Sequence, residues 1–186
     1  MENKNKILEL QKKSQEVLKE LCLDNVQKLT NEEGEIFLLG KRWVLIEVNT
    51  FPGGIIKSIA DIMGERMANE FIYRFGYNYG EDFAEEHLKR GIPKEKIPKL
   101  RSSLCAIFTG WVTAEPLELD FEKGRYVAKL YNDFETESAR LNNMEPSVNF
   151  LRGMLAGIFS KLIGAKTHAT AEFSDDGVIV TVEKRS

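Results

Sequence analysis

Two histidines and two cysteines are the most reactive side chains in this chain, and their spacing limits the chemistry open to them. His168, Thr170 and Glu172 alternate along a segment that reads as a strand, so their side chains face the same way. A histidine and a carboxylate on one face are metal-ligand types, but two ligands make an incomplete site. A solvated strand face is the simpler reading. Glu85, Glu86 and His87 fall within a predicted helix, where adjacent residues diverge around the axis. That triplet also reads as a solvated face. Cys105 lies among Leu104, Ala106 and Ile107 and reads as a small buried apolar residue, not an activated thiolate. A catalytic triad would need a long-range meeting that nothing in the sequence announces.

Glycine pairs invite two other readings. Gly76-Tyr77-Asn78-Tyr79-Gly80 has neither the Gly-Lys-Ser/Thr ending nor the preceding strand of a phosphate loop. Its glycines are expected to end one helix and start the next. Gly153 and Gly157 are four apart in an apolar run that is too short to span a bilayer. They are expected to let a helix lie close to a sheet or a neighbouring helix. The aromatic residues are more suggestive of binding. Phe71, Tyr73, Phe75, Tyr77 and Tyr79 cluster before or within the first glycine pair, Phe108 and Trp111 bracket Gly110, and Phe150 stands four residues before Met154. Aromatics and methionine line apolar ligand cavities, and they equally fill ordinary cores.

The elements that must position these groups follow from period and punctuation. Residues 4–29 read as a helix with Ile7, Leu10, Val17, Leu18 and Leu21 near one stripe. A hairpin is predicted over 35–39 and 42–48, turning at Gly40-Lys41. Long helical patterns cover 55–75, 80–90 and 94–108, stopping at Gly76, Gly91 and Gly110. A second hairpin spans 112–120 and 125–130. A short helix follows over 133–141, and an apolar helix over 148–163. A third hairpin, 166–173 and 178–184, turns at Asp175-Asp176-Gly177. Helices alternate with antiparallel hairpins and no βαβ repeat appears, so the fold class is α+β.

Composition bounds the function. The chain has 186 residues, 42% hydrophobic and 30% charged, with a net charge of −3. That balance argues against a general nucleic-acid binder, which needs excess Lys and Arg. Cys22 and Cys105 form no CxxC pair or disulfide framework, which suits a reducing, cytoplasmic setting. The charged N-terminus lacks the apolar core of a signal peptide, so a soluble protein is expected. One domain over 1–186 is the simplest account, with 1–30 as an N-terminal helical extension and 35–184 as the main body.

Several segments, in order, resemble a known family. Asn132-Asp133-Phe134-Glu135 is similar to its NSxE element, with Asp133 in place of Ser. Val148-Asn149-Phe150-Leu151-Arg152-Gly153-Met154-Leu155-Ala156-Gly157 resembles its CWFLxGYLAG helix. Met63-Gly64 and Arg74-Phe75-Gly76-Tyr77 through Gly80 resemble an upstream segment, and Ile163-Gly164 and Glu172 the stretch that follows the helix. These are features of the 4-vinyl reductase domain family of predicted hydrocarbon-binding proteins. That family is similar to the sensor domains of aromatic-catabolism activators and, in fold, to subunits of the TRAPP vesicle-tethering complex.

The resemblance implies an antiparallel sheet packed against several helices, an apolar small-molecule pocket and a homodimer. Metal-binding members carry cysteines where this chain has Val148 and Asp175, so no structural zinc is expected. No cofactor is expected either. The expected function is binding of a small hydrophobic or aromatic molecule, as a sensor or carrier. An enzyme or accessory factor of tetrapyrrole vinyl reduction is the alternative, as is a protein-interaction module without ligand. Tyr73, Phe75, Tyr79, Phe108, Trp111, Phe150 and Met154 are the candidate pocket residues.

Overall fold

The structure, a computed structural model, describes residues 2–21, 29–30, 35–38 and 41–185. Its centre is the last long helix of the chain. This helix, α6 (Asn149–Ile163), is apolar over most of its surface apart from Arg152 and the exposed Lys161, and Leu151, Met154, Ala156, Ile158 and Phe159 are all nearly inaccessible to solvent. A helix with so wide an apolar surface must be covered on more than one side.

One cover is a four-stranded antiparallel sheet, with β4 (Thr113–Asp120), β5 (Arg125–Tyr131), β6 (Thr167–Ser174) and β7 (Gly177–Lys184) in the order β4-β5-β7-β6. Its inner face shows the period of two expected of strands: Tyr126, Ala128 and Leu130 on β5, and Val178, Val180 and Val182 on β7, are all buried. Pro116, which cannot donate to a ladder, sits on edge strand β4 beside a register shift. The β6–β7 turn closes across Asp175 and Asp176, with Ser174 opposite Gly177.

The other cover is α3 (Glu65–Lys89), which runs unbroken through Gly76 and Gly80. The expected stop at Gly76 is therefore absent. Each of these glycines instead faces α6: a Cβ on Gly76 would stand 2.2 Å from the Phe150 carbonyl oxygen, and one on Gly80 2.1 Å from that of Met154. Gly153 and Gly157 return the relationship, with ideal Cβ positions 2.1 and 1.9 Å from the carbonyl oxygens of Tyr73 and Tyr77. Four glycines thus bring two helix backbones together. The close approach expected of Gly153 and Gly157 is present, and its partner is α3.

The break expected at Gly76 occurs at Gly64 instead, where φ is +84°, a conformation that glycine adopts at no steric cost. It divides α2 (Ile55–Met63) from α3. The remaining helices are α1 (Glu2–Glu20), α4 (Ile97–Leu104) and α5 (Phe134–Leu141). α1 packs against α4 and β4, burying Leu10 and Leu18, and Lys6 pairs with Glu115 at 2.6 Å. The C-terminal part of the helix expected over 4–29, with Cys22, lies outside the described residues.

A separate small sheet joins β1 (Leu29–Thr30), β2 (Ile36–Leu38) and β3 (Lys41–Trp43). Gly40, in the expected turn, lies outside the described residues, and Lys41 belongs to β3, opposite Leu38. The strand expected to reach Val48 ends at Trp43. Val44, Leu45 and Ile46 are exposed and face no partner strand among the described residues. Among the described residues no helix is long and apolar enough to cross a membrane.

Candidate functional site

The site is built from the N-terminus of α6 outward. Asn132 takes a left-handed backbone (φ 51°), and Asp133 then caps α5, its Oδ1 accepting the Thr136 N–H at 2.8 Å. One residue into α5, Glu135 is buried, and its carboxylate accepts the N–H groups of Phe150 (2.9 Å) and Leu151 (2.6 Å). These are free donors at the start of α6, where a carboxyl oxygen is the natural partner. The Asn-Asp-Phe-Glu segment is therefore a two-helix capping device. Burial pushes the Glu135 carboxyl up to about 8, against the two backbone bonds.

This clamp fixes Phe150, which is 1% exposed and is the centre of an aromatic cluster. The rings of Phe51, Phe75, Tyr79, Trp111 and Phe134 lie 5.4, 5.7, 5.8, 5.4 and 6.2 Å from it, centroid to centroid. Phe51 stacks on Phe134 at 5.8 Å, and Trp43 meets Trp111 edge-on at 6.3 Å. Each of these seven aromatic side chains lines a single cavity of about 610 Å³ between the helical body and the segment 41–48. Leu104, Phe108, Val48 and Ile55 complete its apolar wall. A large pocket walled by aromatics with few polar groups is the usual form of a small-molecule site.

The polar group that stands out is His87. It is 5% exposed and lines the cavity, although a solvated face was expected for Glu85-Glu86-His87. The reason is the unbroken α3: Phe75, Tyr79, Phe83 and His87 are four apart and fall along one face. Burial holds the imidazole below the ordinary histidine range, with the Phe83 carbonyl opposing. The ring is thus neutral near pH 7. Nδ1 lies 2.8 Å from the Phe83 carbonyl oxygen, which can only accept, so Nδ1 carries the proton. Nε2 is left as a bare acceptor, buried and without a hydrogen-bond partner among the described residues. At the rim Glu86 pairs with Lys41 and Arg90, and Arg42 with Glu35.

Of the seven residues singled out from sequence, Phe75, Tyr79, Phe108, Trp111 and Phe150 line this cavity together. Tyr73 and Met154 do not. Tyr73 is two residues from Phe75, hence on the opposite side of α3, where its hydroxyl accepts the Ala169 N–H at 3.2 Å. Met154 is one turn deeper than Phe150, and its sulfur accepts the Arg101 Nε–H at 3.1 Å. Trp43, Phe51, Phe83, His87 and Phe134 line the cavity and were not anticipated. The four-residue ladder through Phe83 and His87 was visible in the sequence, but only to a reading that carries the helix past Gly76 and Gly80. His168, Thr170 and Glu172 occupy the solvated strand face expected of them, and Cys105 is buried as expected.

Fold and cavity together define an α+β domain with a large, mostly apolar cavity beside α3. A family model described as activator of aromatic catabolism matches residues 23–122, more than half of the chain, and the chain belongs to that family. Among solved structures, the phenol-responsive sensory domain of the transcription activator PoxR, determined with phenol, is similar with a TM-score of 0.72. The match is 19% identical and covers 91% of this chain and 89% of that one. Subunit 3 of a trafficking protein particle complex from Naegleria fowleri, covalently bound to palmitic acid, is similar with a TM-score of 0.50. That match is 14% identical and covers 75% of this chain and 93% of that one. At these identities the likeness is one of fold. No curated protein matches the chain.

Proposed function

We propose that this chain is a sensor domain that holds a small aromatic molecule in the cavity beside α3. The observation that carries the reading is the cavity itself, about 610 Å³, whose wall holds Trp43, Phe51, Phe75, Tyr79, Phe83, Phe108, Trp111, Phe134 and Phe150. The rings around Phe150 supply faces and edges for a flat guest. Membership of the aromatic-catabolism activator family supports the same reading, as does the phenol bound by the PoxR domain. Phe75, Tyr79, Phe108, Trp111 and Phe150 would enclose the ring, with His87 in the same wall. Tyr73 and Met154 would act behind the wall rather than on the ligand.

The likeness of Asn132–Glu135 and Val148–Gly157 to the 4-vinyl reductase family supports a shared pocket architecture in that part of the chain. Residues 1–186 form one unit in this reading, cytoplasmic and homodimeric. The exposed stripe of Ile62, Met63, Met67 and Phe71 is an apolar surface available for self-association.

Titration calorimetry with phenol, on the unmodified chain and on Phe150→Ala, tests the ligand reading. Saturable binding that is lost in the variant is expected. Absence of heat with any hydroxylated aromatic would sink the proposal.

A further inference from the structure

The wall of the cavity has two parts that differ in how firmly they are held. Phe83, Leu104, Phe134 and Phe150 line it from α3, α4, α5 and α6, and all four are buried in the body of the domain. Val44, Leu45, Ile46 and Val48 line it too, yet they belong to no helix or strand. Val44, Leu45 and Ile46 are 69%, 72% and 56% exposed. A run of three apolar residues left in water is unfavourable in itself and marks a functional surface.

The segment is anchored at both ends. Before it, β3 pairs with β2, and Lys41 forms an ion pair with Glu86 of α3. After it, the Asn49 carbonyl oxygen accepts a hydrogen bond from Asn142 Nδ2 at 2.8 Å, and the Gly53 N–H donates to Ser138 Oγ at 2.9 Å. Those two bonds tie the chain to α5 and its C-terminal end. Between the anchors, residues 44–46 make no backbone hydrogen bond among the described residues. A segment pinned at its ends and unbonded in the middle moves at low cost.

Size gives that movement a direction. A volume of about 610 Å³ far exceeds what one ring requires. A dry cavity of about 150 Å³ already holds benzene. Inward movement of residues 44–48 would shrink the space around a one-ring guest and give it contacts on a further side. The same movement would take Val44, Leu45 and Ile46 out of water.

We infer that residues 44–48 are a strap that closes over the bound guest. The inference rests on the proposed aromatic-binding role and adds how the guest enters and is retained. Swung outward, the strap leaves a passage to the buried rings. Swung inward, it lays Val44, Leu45 and Ile46 against the guest. The guest gains those contacts only in the closed arrangement, so binding shifts the population toward it.

The test reads the strap through an introduced thiol. Leu45→Cys, combined with Cys22→Ser, is treated with a water-soluble thiol reagent, with and without saturating phenol, or the hydroxylated aromatic that gives heat where phenol does not. The remaining cysteine, Cys105, is buried. The thiol introduced at position 45 should react roughly tenfold or more slowly with the guest bound, since only the open population reacts. Leu117→Cys in the same background, at an exposed position on β4 outside the cavity lining, should react at one rate throughout. Val44→Ser with Ile46→Ser should release the guest roughly tenfold faster or more, with little change in its association rate. A guest that binds without slowing the Leu45→Cys reaction would overturn the strap and leave the binding role standing. A Leu45→Cys thiol that is unreactive with and without guest, on a dimer, would place the segment in a subunit interface and also overturn the strap. Absence of heat with any hydroxylated aromatic would overturn both.

Discussion

Tyr77 and Gly157 meet backbone to backbone: the Tyr77 carbonyl oxygen lies 1.9 Å from where a Cβ on Gly157 would stand. The same tyrosine reaches one turn further along α6, donating its hydroxyl to Ser160 Oγ at 2.6 Å. This contact sets the distance between the helix that carries His87 and the helix that carries Phe150.

Gly157→Ala tests that distance. On helix propensity alone, alanine would stabilise α6 by about 1 kcal/mol. The clash reverses the sign, because backbone and not a flexible side chain stands in the way. A net loss of about 1–3 kcal/mol, or more, is expected in denaturant unfolding. A variant as stable as the parent would show that the two helices are not held this close.

Glu135 should make stability depend on pH. Burial raises its carboxyl from the ordinary 4.5 to about 8 in the folded chain, so the folded state holds the proton more tightly than the unfolded one. Its contribution is complete below about pH 4.5 and is lost as the pH climbs through about 8. Thermal midpoints of the unmodified chain should therefore fall between pH 6 and pH 9, and those of Glu135→Gln should fall less. Parallel curves would assign the dependence elsewhere.

Arg101 is 2% exposed, and its Nη1 and Nη2 have no hydrogen-bond partner among the described residues. The guanidinium lies over the rings of Trp111, Tyr79 and Phe83 at 4.8, 5.0 and 5.1 Å. Ring faces return about 0.5–2 kcal/mol each, against a desolvation cost of several kcal/mol for the charge. Arg101→Met keeps the stem and removes the charge, and should leave stability unchanged or raise it by about 1–4 kcal/mol. A loss of similar size would mean that the rings outweigh desolvation.

Ligand affinity should be flat around pH 7 and weaken only in acid. Burial keeps His87 below its ordinary 6.5, with Arg90 and Lys41 acting in the same direction and Glu86 against them. Once protonated, the ring places a buried charge beside the apolar wall, which disfavours an apolar guest. For a hydroxylated aromatic, affinity measured from pH 7.5 downward should begin to fall below about 6.5. A decline already present between pH 8 and pH 7 would mean that His87 is not the group whose protonation weakens binding.

The elements legible in the chain are those whose signals lie between near neighbours. The hairpins at 113–131 and 167–184, the short helix beginning beside Asp133 and the end of α6 before Gly164 all depend on turn and capping residues within a few positions. The alternation on β5 and β7, and the strongly apolar α6, carry the α+β class in the same local way. Tertiary structure decided what a glycine means inside a helical pattern. Gly76 and Gly80 read as ends because a glycine at a helix end needs no partner to explain it. Their role in mid-helix exists only once Phe150 and Met154 of α6 are brought against them, more than seventy residues later. The burial of His87 follows from that continuity, and so do the separation of Tyr73 from Phe75 and the length of the cavity. Short-range patterning settles which elements form. The spacing of two packed backbones settles which side chains face the same space.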